Sequence, residues 1–306
     1  MSEPYRADPA LPTLDLAAAE PLLRRLELTV RHRLDGLLQG NYLGLVPGPG
    51  SESGESRLYY PGDDVRRLDW PVTARTLVPH VRQTIADREL ETWLVIDGTA
   101  SLDYGTARCE KRDLALAVAA AFGFLTARAG NRIGAVVFDG ARTDVVPPRG
   151  GRESVLALLH RLQRRPAAEA EPGSLAAALQ RARFLARRRG LVVVVSDLLD
   201  GSDWPRELRA LGARHEVVVA HVSDPREHDL PPVGLLTLVD PETGELHEVQ
   251  TASKRFRGRY LAAATARRAE SVAAVRSSRA GHLDIATDRD WLLDIVRFVV
   301  AKRRRR

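Results

Sequence analysis

Three oxygen-bearing side chains, Asp97, Thr99 and Ser101, follow at alternate positions the apolar run 92–96, so that they can curl around one point. Ser196 and Asp197 stand in the same relation to a second run, 191–195. Between the two, Pro172 and Gly173 lead into Ser174 at the start of a helical pattern, where a serine is a natural N-cap. Two carboxylates and three hydroxyls, Asp97, Thr99, Ser101, Ser174 and Asp197, make an all-oxygen donor set suited to a small, hard cation. The same residues also admit a plain reading in which the hydroxyls cap turns and helices and the aspartates stabilise loops.

For either chemistry the residues must be held at one edge of a scaffold, and the surrounding pattern specifies it. The runs 92–96, 132–138, 191–195 and 217–222 are rich in β-branched residues and nearly all apolar, which is the signature of strands covered on both faces. Helical spacing recurs between them at 114–125, 152–162, 175–188 and 205–211. Strands alternating with helices predict an α/β fold: an open, mostly parallel sheet with helices on both faces. In such a sheet ligands sit beyond the carboxyl ends of the strands, where Asp97 and Asp197 fall.

Outside this alternation, residues 17–38 carry apolar side chains at helical spacing, and 47–56 is a glycine, serine and proline loop. Residues 59–76 mix Tyr59, Tyr60, Asp63, Asp64, Arg66, Arg67, Asp69 and Trp70, which predicts a packed module held by ion pairs. Residues 78–86 read as a strand or short helix. Late in the chain, 235–239 and 246–249 flank Asp240, Pro241, Glu242, Thr243 and Gly244 as a hairpin, followed by a basic helix over 255–275, a strand over 282–286 and a closing helix over 291–300. The expected division is an N-terminal helix and charged packing module over 1–88, then a main domain over 89–306 with a hairpin insertion near 235–250.

Composition narrows the class. Apolar content of 44% with 28% charged residues is that of a globular chain. The absence of a long apolar stretch or a signal-like N-terminus points to a cytoplasmic protein with no membrane span. A single cysteine, Cys109, excludes an internal disulfide. The net charge of +6 is carried almost wholly by arginine, since only Lys111, Lys254 and Lys302 are lysines. The basic run 302–306 suits a helix C-terminus. There is no phosphate-binding loop ending in Gly-Lys-Ser/Thr, and His80, His160, His215 and His228 have no zinc-ligand spacing. Thr99 stands where a phosphotransfer site with an aspartate nucleophile would need a second acid.

The arrangement resembles a von Willebrand factor type A (vWA) domain, whose metal-ion-dependent adhesion site (MIDAS) has the pattern Asp-x-Ser-x-Ser, then a distant Thr and a distant Asp. Asp97, Thr99 and Ser101 match the first segment, Ser174 the second and Asp197 the third, each departure keeping its hydroxyl. The chain is also similar to the bacterial DUF58 family, through Tyr60, Pro61, Gly62, Asp63, Asp64, Arg66, Asp69, Trp70, Ala74 and Arg75. Gly105, Thr106, Lys111, Ser196, Asp197, Asp224, Pro225, Arg226, Glu227, Leu230, Pro231, Gly234 and the 240–244 turn continue the match in order.

The resemblance implies a vWA-like, Rossmann-type topology and a non-enzymatic, metal-dependent protein-binding or adaptor protein. Asp97, Thr99, Ser101, Ser174 and Asp197 would hold Mg²⁺ or Mn²⁺, and a partner's Asp or Glu would supply a further oxygen. It further implies work alongside a MoxR-type AAA+ ATPase in a chaperone-like system. The alternatives are a nucleic-acid-binding protein using the arginine-rich C-terminal helices, or a metal-dependent phosphohydrolase.

Overall fold

The structure is a computed structural model that describes residues 56–61, 63, 65, 68–82, 91–128, 130–140, 142–163 and 173–304. The expected helix over 17–38 and most of the loop over 47–56 lie outside the described residues.

A six-stranded sheet forms the centre. Its strands are β3 (Glu91–Asp97), β4 (Arg132–Asp139), β5 (Arg142–Arg149), β6 (Leu191–Ser196), β7 (Glu216–Ser223) and β10 (Gly281–Ala286), in the order β10-β7-β6-β3-β4-β5. All neighbours are parallel except β5, which runs antiparallel to β4 at the edge. The fold is therefore an open α/β fold with a mostly parallel sheet, as the alternation of strand and helix patterns predicts.

Side-chain alternation on β3 shows why both faces are covered. Leu94 and Ile96 enter one core with α2 (Lys111–Arg128), α3 (Arg152–Gln163) and α7 (Trp291–Arg304). Trp93 and Val95 enter the other with α4 (Leu175–Leu185), α5 (Trp204–Gly212) and the end of α6 (Lys254–Ser277). Helix α2 is buried at every residue from 114 to 126, which explains its alanine-rich, non-amphipathic sequence. Gly123 lets it approach α3, since a Cβ there would lie 2.7 Å from Val155.

The connectivity locates the switch point. From β3 the chain proceeds through α2 to β4 and β5 on one side, then returns to build β6, β7 and β10 on the other. The reversal falls between β3 and β6, the switch point at which open α/β sheets place their ligands. Asp97 ends β3, and Ser196 and Asp197 end and follow β6.

Several elements differ from expectation. Strand β5 was not expected, because Pro147 and Pro148 argue against a strand; an edge strand tolerates prolines, which cannot donate to a neighbour. Gly134 opposite it leaves little room for a Cβ, which would lie 3.0 Å from Val146 O and 3.1 Å from Pro148 N. Trp70, expected to pack, is 67% exposed as the first residue of α1 (Trp70–Thr76). What is buried there is Asp69, which caps α1 through Val72 N and accepts Ser56 Oγ at 2.6 Å. Ser56 opens β1 (Ser56–Leu58), which pairs antiparallel with β2 (His80–Arg82), the strand found within 78–86.

Two further strands, β8 (Leu235–Val239) and β9 (Leu246–Gln250), form an antiparallel hairpin that joins no other sheet among the described residues. Near the C-terminus, Lys302 pairs with Glu216 at 2.5 Å, and Arg268 pairs with Asp284, so part of the basic content of α6 and α7 is used within the fold. Among the described residues no helix is long and apolar enough to cross a membrane.

Candidate functional site

Asp97, Thr99, Ser101 and Asp197 come together at the β3/β6 edge, all of them nearly buried. Asp97 Oδ1 accepts from Thr99 N at 2.9 Å and from Thr99 Oγ1 at 2.7 Å. Thr99 Oγ1 lies 3.0 Å from Ser101 Oγ, and Ser101 Oγ donates to Asp197 Oδ2 at 2.8 Å. Ser196, whose role the sequence pattern left open, donates from Oγ to Asp97 Oδ2 at 2.7 Å and accepts Leu198 N at 3.0 Å. The turn after Asp197 places the buried Leu198 at φ +58°, a left-handed conformation that costs an aliphatic residue about 1–3 kcal/mol. That turn aims Leu199 N at Asp197 Oδ1, 3.1 Å away.

The chain of oxygens from Asp97 to Asp197 contains three contacts, Asp97–Thr99, Thr99–Ser101 and Ser101–Asp197, but only the two hydroxyl protons of Thr99 and Ser101 to fill them. With both carboxylates ionised and each hydroxyl donating to its aspartate, the Thr99–Ser101 contact sets lone pairs face to face. A proton held by Asp97 would fill the third contact, passing donation from Asp97 through Thr99 and Ser101 to Asp197. Burial, and then the neighbouring charge of Asp197, push the Asp97 carboxyl up to about 7, against hydrogen bonds from Ser196 and Thr99 that lower it.

The edge also holds a cation that the sequence reading did not assign to it. Lys111, 1% exposed, donates from Nζ to Asp197 Oδ2 at 2.8 Å and to Glu227 Oε1. Burial alone would lower its pKa, but Asp197 and Glu227 outweigh that, so the net shift is upward and the ammonium stays charged. The available signal was a lysine opening an apolar helix in a chain that otherwise uses arginine. Only a slender ammonium on a flexible stem fits between two carboxylates in so closed a space.

Glu227 is oriented in turn by the single turn Pro225–Glu227, where it forms a capping box with Asp224. Asp224 is fully buried and accepts from Thr106 N at 2.8 Å, Thr106 Oγ1 at 2.6 Å, Arg226 N at 2.9 Å and Thr287 Oγ1 at 2.6 Å. Burial would raise its pKa, but these donors hold it below the usual carboxylate range. Asp224 thus ties together the loops that follow β3, β7 and β10.

Ser174 caps α4, accepting Ala177 N at 3.2 Å, and the hydrogen-bonded chain from Asp97 to Asp197 closes without it. It is nonetheless a near neighbour, because a Cβ on the preceding Gly173 would lie 2.5 Å from Thr99 Cγ2. Cys109 is half-buried two residues before α2, its thiol pushed up to about 12 by burial and by Asp113, Asp224 and Glu110, which disfavours the nucleophilic thiolate. Among the described residues no cluster of three or more His, Cys, Asp or Glu side chains is arranged to hold a metal ion. The donor set here is instead two carboxylates and neighbouring hydroxyls.

Fold and site together define an open α/β protein with a buried cluster of carboxylates and hydroxyls at the switch point of its sheet. The chain belongs to the family described as "Protein of unknown function DUF58", whose model matches residues 55–270. It is 54% identical over 290 residues to "Uncharacterized protein Rv1480" of Mycobacterium tuberculosis, covering 94% of this chain and 90% of that protein. It is 42% identical over 160 residues to "Uncharacterized protein MAV169" of Mycobacterium avium, covering 52% of this chain and 94% of that one. Among solved structures it is similar to the conserved hypothetical protein BatB from Bacteroides thetaiotaomicron, with a TM-score of 0.44 and 12% identity over 70% of this chain and 99% of that one. An aerotolerance-related membrane protein from Bacteroides fragilis gives a TM-score of 0.42 and 12% identity over 71% of this chain and all of that one. Similarity at that level carries no argument about function.

Proposed function

We propose that this protein is a non-enzymatic, Mg²⁺-dependent binding protein that recruits a partner through a carboxylate. The observation that carries the reading is the convergence of Asp97, Thr99, Ser101 and Asp197 at the β3/β6 edge, linked by three oxygen–oxygen contacts. An all-oxygen set of this kind fits a hard divalent cation. Asp97, Thr99, Ser101 and Asp197 would hold it, with Ser174 adjoining from the α4 N-terminus. A bound cation supplies charge that neutralises the paired aspartates and offers an open position to a further oxygen.

The protein's own residues do the rest. Asp224 and Glu227 fix the loops, Lys111 balances Asp197, and the strained turn at Leu198 holds the Asp197 carboxylate toward Ser101. A partner's Asp or Glu is the matching chemistry for the open face. The resemblance to DUF58 proteins associated with MoxR-type AAA+ ATPases supports an ATPase of that class as the partner.

The test combines Mg²⁺ calorimetry with pull-down from source cells in Mg²⁺ and in EDTA. Wild type should bind Mg²⁺ and capture an ATPase in Mg²⁺ alone. Asp97→Ala and Asp197→Ala should lose both while keeping a wild-type circular dichroism spectrum, and Ser174→Ala should lose less, since it removes no charge. No Mg²⁺ uptake by folded wild type would sink the site. Equal capture in EDTA would sink metal-mediated recruitment.

A further inference from the structure

A pocket of about 100 Å³ lies on the α2/α3 side of the sheet. Ile96 and Val137, register partners near the carboxyl ends of β3 and β4, line it together with Leu116 of α2 and Leu162 of α3. Where α2 begins, Glu110, Arg112 and Asp113 line it as well. Asp97 and Gly98 also border the pocket, so it lies next to the candidate site.

The last residue of α3, Gln163, lines this pocket and is only 6% exposed. Among the described residues neither Oε1 nor Nε2 of its amide has a hydrogen-bond partner. A buried primary amide left unpaired is destabilising, and folded chains satisfy the great majority of such groups. Leucine or methionine would complete the apolar end of α3 without that penalty. Gln163 instead brings one acceptor oxygen and two N–H donors to a chamber lined by aliphatic side chains. The charged groups nearby are engaged elsewhere. Arg112 pairs with Asp103 through Nε at 2.5 Å and Nη2 at 2.7 Å, and Asp113 Oδ2 accepts Glu110 N at 3.1 Å.

We infer that this pocket is a binding site for a small molecule that presents a carboxamide or lactam edge on an apolar body. Such an edge sets a C=O beside an N–H, and it closes two antiparallel hydrogen bonds with the Gln163 amide, satisfying both of its ends at once. The apolar body fills the space beside Ile96 and Val137. A carboxylate of the same shape accepts from Nε2 but cannot donate to Oε1. Glu110 and Asp113 repel it, while Arg112 is committed to Asp103. An alkylammonium donates to Oε1 but leaves Nε2 unpaired. The site thus selects amides against acids and amines by leaving buried polar groups unpaired in the wrong complex. A chamber of this size is somewhat smaller than the roughly 150 Å³ cavity that takes benzene, which limits the ligand to a small group. The inference is independent of the cation proposed at the neighbouring edge.

The experiment titrates the isotope-labelled full chain, in EDTA, with isovaleramide, isovalerate and isopentylamine, three probes with one branched apolar body and different polar ends. Heteronuclear NMR spectra read the side-chain NH₂ pair of Gln163, identified by its absence in Gln163→Met. Isovaleramide should shift that pair with a millimolar Kd, about tenfold or more tighter than either analogue. Gln163→Met should bind all three probes weakly and alike, and should melt no lower than wild type because it removes an unpaired amide. Should that variant fail to fold, the wild-type comparison of the three probes still decides, with the NH₂ pair assigned by through-bond experiments. No shift of the Gln163 pair with isovaleramide, or isovalerate or isopentylamine binding as tightly, overturns the site.

Discussion

Replacing Lys111 by methionine tests the electrostatic account of the site most directly. The substitution keeps the length and apolar stem of the side chain but removes the ammonium from between Asp197 and Glu227, all three side chains being at least 84% buried. Removing one partner of a buried ion pair leaves uncompensated charge, at a cost of about 3–5 kcal/mol. For a large domain each kcal/mol lowers the melting temperature by about 2–4 °C, so Lys111→Met should melt about 10 °C below wild type in EDTA at pH 7. Adding Glu227→Gln to Lys111→Met removes the second charge and should recover at least 1 kcal/mol, a coupling measurable by a double-mutant cycle in urea. Losing a cation beside the proposed ion site should also raise Mg²⁺ affinity tenfold or more, so Mg²⁺ should rescue Lys111→Met more than it stabilises wild type. A Lys111→Met protein within 1 kcal/mol of wild type in EDTA, or with no coupling to Glu227→Gln, would refute the buried-pair reasoning.

Two further outcomes follow from the same geometry. Asp97 is raised above its unfolded value, so the folded state binds a proton that the unfolded chain has released; its contribution to stability is full below about pH 4 and is lost as pH rises toward about 7. Mg²⁺ binding near pH 6 should therefore expel that proton, and calorimetric heats in buffers of different ionisation enthalpy should differ accordingly, whereas Asp97→Asn should show no buffer dependence. Gly173→Ala would place a Cβ 2.5 Å from Thr99 Cγ2 and push Thr99 out of the oxygen chain, so Mg²⁺ affinity should fall at least tenfold with the melting temperature changed by only a few degrees; unchanged affinity would show that Thr99 is not needed.

The sequence by itself determined the sheet and the ends of its strands. Apolar runs of β-branched residues such as 191–195 can only be buried on both faces, and a carboxylate directly after such a run must emerge at the strand's end, which is where Asp97 and Asp197 stand. The hairpin turn at 240–244 was equally legible, because Asp240, Pro241 and Gly244 impose it locally. Edge strand β5 was not, since its prolines argue against a strand unless the missing neighbour on one side is known. Trp70 misled because a large aromatic is expected inside, whereas here it begins a short exposed helix and the aspartate before it is the buried residue.

Strand order and charge pairing belonged to the tertiary structure alone. Ser101 meets Asp197 across 96 positions of sequence, Lys111 meets Asp197 across 86 and Glu227 across 116. Such contacts leave no periodicity, because local pattern specifies which face of an element is apolar but not which element lies beside it. The sheet's reversal between β3 and β6 brings the two aspartates to one edge, and the closed packing of that edge makes their charges costly enough to require Lys111.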